Sequence, residues 1–359
     1  MPERVCHFVY DLIRGGTEGQ CARTAAALQR TAGKGERHRV AVFFRRGGLL
    51  EETERVCGPV KEIPIRHLLR RETAAAVRAF AAWLRRERIG ILQAWDADAA
   101  IFGQFAAELA GCRFVASRRD LGEIYPFHKR LLLARADRKA AKIVVNAASI
   151  AERFRKTGKT VLIGNLFDFA EFRAAAKARP FARETGLPPG KRTVVVARLD
   201  PEKNIVLLVE ALARMGGKSS LVVAGDGVER ERLEARAARL GVRERVVFLG
   251  ETDAVPSLLE KADAAALVPK ANEGQSNALM EYLASGLPVL ATDCGGNREL
   301  LEAAGPEAGV LLPVSATPEE MAAAWGKVLS LPRRAPAPLP GHSPEETAAA
   351  FRALYASLA

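Results

Sequence analysis

The sequence predicts an α/β protein of two Rossmann-like domains, each a doubly wound parallel sheet, facing one another across a cleft. Three observations carry this. The chain has 359 residues, and at ~150 residues per domain that is about two domains. Short, continuous, β-branched runs alternate with helical patterns from end to end, as expected of parallel strands covered on both faces. A turn-rich break near residues 168–190 divides that alternation in two. The composition is that of a packed protein, with 48% hydrophobic and 27% charged residues and a mean hydropathy of -0.02. No apolar run reaches the ~20 residues of a membrane span.

Taken in order, strands are expected at Val5–Tyr10, Arg39–Phe44, Gly90–Ala94, Arg113–Ala116, Lys142–Val145 and Thr160–Ile163. The first follows Glu3 and Arg4 and is too short for the core of a secretory signal, so it reads as a buried strand. The break is marked by Lys177-Ala-Arg-Pro180 and Gly186-Leu-Pro-Pro-Gly190. Beyond it, strands are expected at Thr193–Ala197, Ser220–Ala224, Arg245–Leu249, Ala264–Val268, Pro288–Ala291 and Gly309–Leu312. Ile205, Leu208, Val209 and Leu212 keep the spacing of one buried helix face. From Pro332 to Pro344 the chain is too rich in proline for a packed helix. Ser343-Pro-Glu-Glu346 then has capping-box spacing and opens a last helix, 343–359.

The five cysteines, Cys6, Cys21, Cys57, Cys112 and Cys294, are scattered without CxxC or Cys/His metal spacing. They read as buried small hydrophobes in a reducing cytoplasm. The net charge of +12 is one-sided: residues 1–170 hold 31 Lys+Arg against 18 Asp+Glu, whereas residues 171–359 hold 23 against 24. The first half is therefore the one expected to meet something anionic.

Ligands of doubly wound sheets bind outside the carboxyl ends of the strands. After the strand at 193–197 comes Arg198-Leu-Asp-Pro-Glu-Lys203-Asn204. Two cations flank a turn that opens onto a helix N-terminus, an arrangement that suits a diphosphate, though a solvated charged loop has the same composition. After the strand at 264–268 come Glu273, Gly274, Gln275, Ser276, Asn277 and, about one turn on, Glu281. The amides entering that helix lack intrahelical acceptors, and the Glu281 side chain leans back toward them. Glu281 lies among Leu279, Met280, Tyr282 and Leu283, so its carboxylate needs hydroxyl or cationic partners.

With these residues in place, the stretch 194–301 closely resembles the donor domain of the family 4 (group 1) glycosyltransferases, retaining enzymes of the GT-B fold. The resemblance is carried by Val-Ala-Arg198-Leu-Asp-Pro-Glu-Lys203-Asn, Val-Val-Ala-Gly225-Asp226-Gly227, Val-Phe-Leu-Gly250, and Glu273-x7-Glu281 followed by Ser-Gly-Leu-Pro-Val-Leu-Ala-Thr. The first half resembles the family more loosely, through Gly15-Gly16-Thr-Glu18 and Gly164-Asn165-Leu-Phe-Asp168-Phe-Ala-Glu-Phe172. The resemblance implies an acceptor-binding domain over 1–170, a donor-binding domain over 171–340, and a final helix crossing back to the first domain.

The resemblance also implies roles. The co-substrate is a nucleotide-diphosphate sugar, with no metal and no other cofactor. Arg198 and Lys203 hold the diphosphate and stabilise it as it leaves. Glu281 binds the ribose. Glu273 and the amides of Gly274–Asn277 meet the sugar and phosphates. Gly225 belongs to the donor site, and Gly15 and Gly16 let backbone approach the donor. The acceptor is a glycan or a lipid-linked glycan in cell-envelope or exopolysaccharide synthesis. One departure stands out: where family members often carry a histidine, Arg119 follows Phe114-Val-Ala-Ser-Arg. Arg119 is open to a phosphate, to an acidic sugar or acceptor, or to an ion pair with Asp120 or Glu123.

Asp96-Ala-Asp98 spells the metal motif of a different glycosyltransferase fold, but an N-capping aspartate explains Asp96 better. Its place at a strand end still offers it to an acceptor. His128 has no visible partner and reads as a surface residue. Arg66–Arg88 carries seven arginines and two glutamates. Arg71, Arg78 and Arg85 share one helix face opposite Val77, Phe80 and Leu84, either as a solvated face or as a patch for anionic lipid. The alternatives to a glycosyltransferase are nucleotide-sugar epimerases or glycan phosphorylases of the same architecture, and a basic nucleic-acid-binding protein. At 6% aromatic residues the chain lacks the stacking platforms that the last would need.

Overall fold

The computed structural model describes residues 4–13, 15–65, 71–120, 122, 125–181, 187–188, 190–271 and 273–358. The chain forms two compact units, Met1–Leu166 with Gly341–Ala359, and Phe167–Pro340. Both are α/β with wholly parallel sheets of seven and six strands.

In the first unit the strands are β1 (Arg4–Val9), β2 (Arg37–Val42), β3 (Lys61–Glu62), β4 (Ile91–Ala94), β5 (Arg113–Arg118), β6 (Lys142–Val145) and β7 (Thr160–Leu162), in the order β3-β2-β1-β4-β5-β6-β7. Side chains alternate between two cores. Cys6, Phe8, Leu92 and Phe114 pack on one face with Phe43 and Phe80. Val5, Val9, Ile91, Trp95 and Val115 pack on the other. This period of two follows from the pleat, and burial on both faces explains why the strands read as continuous apolar runs. β3 was not expected: two residues between Pro59 and Pro64 show no periodicity, and only pairing with β2 defines them as a strand.

The last helix, α14 (Pro344–Ala356), has the capping box of Ser343 and Glu346. It buries Ala348, Phe351, Leu354 and Tyr355 in the second of those cores. It lies on α1 (Gly16–Arg30), and Arg352 donates to Glu36 at 3.2 Å and to the Leu28 carbonyl at 3.1 Å.

In the second unit the strands are β8 (Lys191–Val196), β9 (Ser219–Ala224), β10 (Val246–Gly250), β11 (Ala264–Leu267), β12 (Val289–Thr292) and β13 (Gly309–Leu312), in the order β10-β9-β8-β11-β12-β13. The expected helix face is buried: Ile205, Leu208, Val209 and Leu212 of α8 (Ile205–Arg214) all lie in the core. This unit begins at Phe167 rather than at 171. Asp168 caps α7 (Phe169–Ala178) by accepting from the Glu171 amide at 2.9 Å, and Phe172 of that helix joins the second unit's core. In each sheet the strand order reverses once, between β1 and β4 and between β8 and β11. At such a reversal the adjoining loops splay apart at the carboxyl ends and leave a crevice.

Candidate active site

The β8/β11 crevice gathers most of the residues singled out in the second half. The loop after β8 carries Arg198 and Lys203, and the loop after β11 carries Glu273. Among the described residues, two hydrogen bonds join the loops. The Lys270 amide donates to the Glu202 carbonyl at 2.9 Å, and Lys203 Nζ donates to Glu273 Oε2 at 2.6 Å. Glu273 is buried and Lys203 half-buried, so this is a charge-assisted bond out of bulk water, stronger than an exposed pair. Arg198 is different: its side chain is 81% exposed and pairs with Asp200 at 3.0 Å.

Ser276 is the N-cap of α11 (Asn277–Ala284), its hydroxyl accepting from the Leu279 amide. The amides at the start of α11 carry the partial positive charge of a helix N-terminus. Gly274 and Ser276 are buried beside it, while Gln275, Asn277 and Glu281 are half-buried. The helix is tethered to β8 through Tyr282, whose hydroxyl accepts from the Val196 amide at 2.6 Å. Burial raises the Tyr282 phenol well above its ordinary pKa, so it stays neutral and can hold this contact.

Glycines let the loops pack. At Gly295, with φ +61°, a Cβ would lie 2.2 Å from the Glu273 carbonyl oxygen. The next residue, Gly296, donates its amide to the Gly274 carbonyl at 2.9 Å. At Gly225, with φ +132°, a Cβ would lie 2.0 Å from the Ala197 carbonyl, and its amide bonds Gly250 at 2.8 Å. A backbone crossing behind the Arg198 loop therefore requires glycine at 225 whatever ligand is bound.

The first unit has its own concavity, a cavity of about 510 Å³ lined by Trp95, Asp96, Arg118, Arg119 and Asp120 among others. Asp96 caps α4 (Ala97–Ala110), accepting from the Ala99 amide at 2.8 Å and from the Tyr10 amide at 2.7 Å. Its carboxyl is pushed up to about 7 by burial, against those two amides. Arg119 lies over the Trp95 ring at 4.5 Å and donates to Asn165 Oδ1 at 2.5 Å. The ion pair with Asp120 is not formed. Asp120 accepts instead from the Gly122 amide at 2.7 Å and from the Tyr125 hydroxyl at 2.8 Å, two local partners that occupy both carboxylate oxygens. Glu123 lies outside the described residues. Gly15 is the N-cap of α1, and Gly16 is its exposed first residue.

The basic helix α3 (Arg71–Arg86) buries Val77, Phe80 and Leu84 and leaves Arg78 and Arg85 exposed. Arg85 also donates to the Leu109 carbonyl at the end of α4, at 2.6 Å. The Arg71 side chain lies outside the description. His128 is exposed.

Sequence reasoning missed a polar relay beneath Trp95. Trp95 Nε1 donates to His7 Nδ1 at 3.2 Å, His7 Nε2 lies 3.0 Å from His38 Nδ1, and His38 Nε2 lies 2.9 Å from Glu36 Oε1. The indole can only donate, so His7 carries its proton on Nε2, and by the same logic so does His38. Burial pushes both histidines below their ordinary pKa. His7 is a lone histidine in an apolar run and His38 lies between Arg37 and Arg39, and only the parallel register of β1 and β2 brings them together.

Residues 179–338 match the model of the glycosyl transferases group 1, and residues 14–170 that of glycosyltransferase family 4. The chain is 30% identical over 228 residues to D-inositol 3-phosphate glycosyltransferase of Nocardia farcinica, covering 60% of this chain and 49% of that protein. It is 37% identical over 120 residues to the N-acetylgalactosamine-N,N'-diacetylbacillosaminyl-diphospho-undecaprenol 4-alpha-N-acetylgalactosaminyltransferase of Campylobacter jejuni, covering 33% of this chain and 32% of that protein. These matches thus span 49% and 32% of those relatives' length. HepE of Anabaena, solved in complex with UDP and glucose, shares the fold at a TM-score of 0.80 over 99% of this chain and 98% of that one, at 21% identity. With both halves matched in order by the family's two models, the chain belongs to the family 4, group 1 glycosyltransferases.

Proposed function

We propose that the protein transfers a sugar, with retention of anomeric configuration, from a nucleotide-diphosphate sugar to a glycan or lipid-linked acceptor in cell-envelope or exopolysaccharide synthesis. The observation that carries this is the Lys203–Glu273 pair beside the N-terminus of α11, at the β8/β11 strand reversal. That arrangement offers cationic and amide donors on one side and a carboxylate on the other, as a sugar diphosphate requires. Solved relatives of the same fold hold UDP-glucose or UDP with glucose, and the C. jejuni relative's name specifies a diphospho-undecaprenol acceptor.

In the reaction the bond from the anomeric carbon to the diphosphate breaks as the acceptor oxygen bonds to the same face. The acceptor's proton passes to a leaving phosphate oxygen. Negative charge grows on the diphosphate, and Arg198 and Lys203 are the groups that stabilise it there. Lys203 can give one N–H to Glu273 and still offer two to phosphate. The other oxygen of Glu273 is left for a sugar hydroxyl, and Glu281 is assigned to the ribose. Leaving-group stabilisation thus falls to side chains rather than a metal ion. The exposed basic face of α3, with Arg78 and Arg85, is assigned to an anionic surface such as the inner face of the membrane, where a lipid-linked acceptor would wait. Thermal stabilisation by UDP-, GDP- and ADP-sugars, followed by proton NMR of the product anomer in the presence of a chelator, tests the reading. No stabilisation by any sugar nucleotide, or an inverted product, overturns it.

A further inference from the structure

Arg118 and Arg119 both line the cavity of the first unit, yet their charges are handled in opposite ways. Arg118 is buried and fully committed: it pairs with Asp137 and donates to the Ser117 and Leu133 carbonyls at 3.1 and 3.4 Å. Arg119 is half-buried, and among the described residues no carboxylate pairs with it. Its one hydrogen bond goes to a neutral amide oxygen, that of Asn165. Its buried Nε has no acceptor.

Among the described residues, the nearby acids do not supply the missing charge. Asp120 is held by Gly122 and Tyr125. Both carboxylate oxygens of Asp96 face backbone amides. Glu18 also lines the cavity and makes contacts of its own. Holding a guanidinium out of water without a counter-charge costs free energy. That cost shows in its acidity, which burial pushes down to about 10. A cation–π contact with Trp95 explains why the side chain lies over the ring, but a neutral amide could sit there without the cost. The Trp95 contact and the Asn165 hydrogen bond hold the guanidinium at two points, and it lines the cavity. A guanidinium held in place presents its planar fork of donors, which suits the two oxygens of a carboxylate or phosphate better than a hydroxyl.

We propose that the cavity of the first unit binds an oxyanion, the phosphate or carboxylate of a charged sugar substrate, on Arg119. The proposal rests on the sugar-transfer reading above and adds the charge class of the sugar that reacts. A neutral sugar would bring Arg119 no counter-charge. Arg130, exposed on the rim, adds a second cation at the entrance.

The test is calorimetry on the full chain with glucose 6-phosphate, glucuronate, inorganic phosphate and glucose as probes, on wild type, Arg119→Gln and Arg119→Lys. The expected result is that glucose 6-phosphate or glucuronate binds more tightly than glucose. Arg119→Gln then loses at least tenfold in that affinity, and Arg119→Lys recovers part of it. Whichever sugar anion binds better identifies the group as phosphate or carboxylate. UDP binding, measured on the same samples, should survive Arg119→Gln. Lys203→Ala should reverse the pattern, losing UDP but keeping the sugar anion. If both sugar anions bind no better than glucose, or bind Arg119→Gln as well as wild type, the oxyanion site is wrong. If only UDP fails to bind, the donor-site reading falls and the oxyanion site stands.

Discussion

Lys203 Nζ and Glu273 Oε2 lie 2.6 Å apart across a separation of 70 residues, joining the loops at the ends of β8 and β11. The contact has two consequences of opposite kind. As a binding device, Lys203 is held where a diphosphate would meet it. As a structural device, it neutralises a buried carboxylate. Lys203→Ala should therefore lower transfer on the order of 10- to 100-fold, from charge-assisted contacts of about 1.5–3 kcal/mol, and should also lower the melting temperature. Lys203→Ala combined with Glu273→Gln should regain part of the lost stability but none of the activity, since the stranded charge is then gone. Calorimetry and sugar-transfer rates on the two variants check this; wild-type turnover by Lys203→Ala would refute the assignment.

Glu273 and Glu281 should differ in what they bind. Glu281 lies on α11, and Glu273 precedes the helix in contact with Lys203. Glu281→Ala is expected to weaken binding of the free nucleoside diphosphate, because the partner proposed for it is the ribose. Glu273→Gln should lower turnover with less effect on that affinity. Titration of both variants with UDP or GDP decides it, and equal losses of affinity would remove the distinction.

Stability should fall in mild acid because of the His7–His38 relay. Burial depresses both histidines in the folded protein, so the unfolded chain binds more protons. Their contribution is fully present above about pH 6.5 and is lost as the pH falls below it. Asp96, raised to about 7, acts in the opposite sense, its contribution declining as pH rises from about 4 toward 7. Urea unfolding across this range on wild type, His7→Gln and Asp96→Asn separates the two. His7→Gln should flatten the acid loss, and Asp96→Asn should steepen it. An unchanged slope in His7→Gln would show that the relay does not titrate with folding.

If the basic face of α3 meets anionic lipid, wild type should float with anionic vesicles at low salt and be released as salt rises. Arg78→Gln with Arg85→Gln should weaken that flotation. Arg85 also satisfies the Leu109 carbonyl, so the melting temperature of the variant must be measured alongside. Arg78→Gln alone provides the cleaner comparison. Equal flotation of wild type and Arg78→Gln would remove the face from the docking surface.

The strands other than β3, the two-unit division and the residues at the strand ends were legible because each rests on short-range pattern. Burial on both faces writes a continuous apolar run, a helix face repeats within a few residues, and Ser343 with Glu346 announces a helix start. The β8 and β11 loops could be singled out for the same reason, since strand ends are where such sheets bind ligands. What lay beyond the sequence was partnership. Nothing near Lys203 indicates that Glu273 neutralises it, and nothing near Asp120 indicates that it turns to Tyr125 and leaves Arg119 to Trp95. The link from His7 to His38 exists only because β1 and β2 pair in one register. Gly225 looked like part of a binding loop, and only the crossing of its backbone under Ala197 shows that packing alone already demands glycine there. Local sequence determines which residues stand at the end of a strand; which charge each one faces depends on distant strands brought side by side, and that is decided by the tertiary structure.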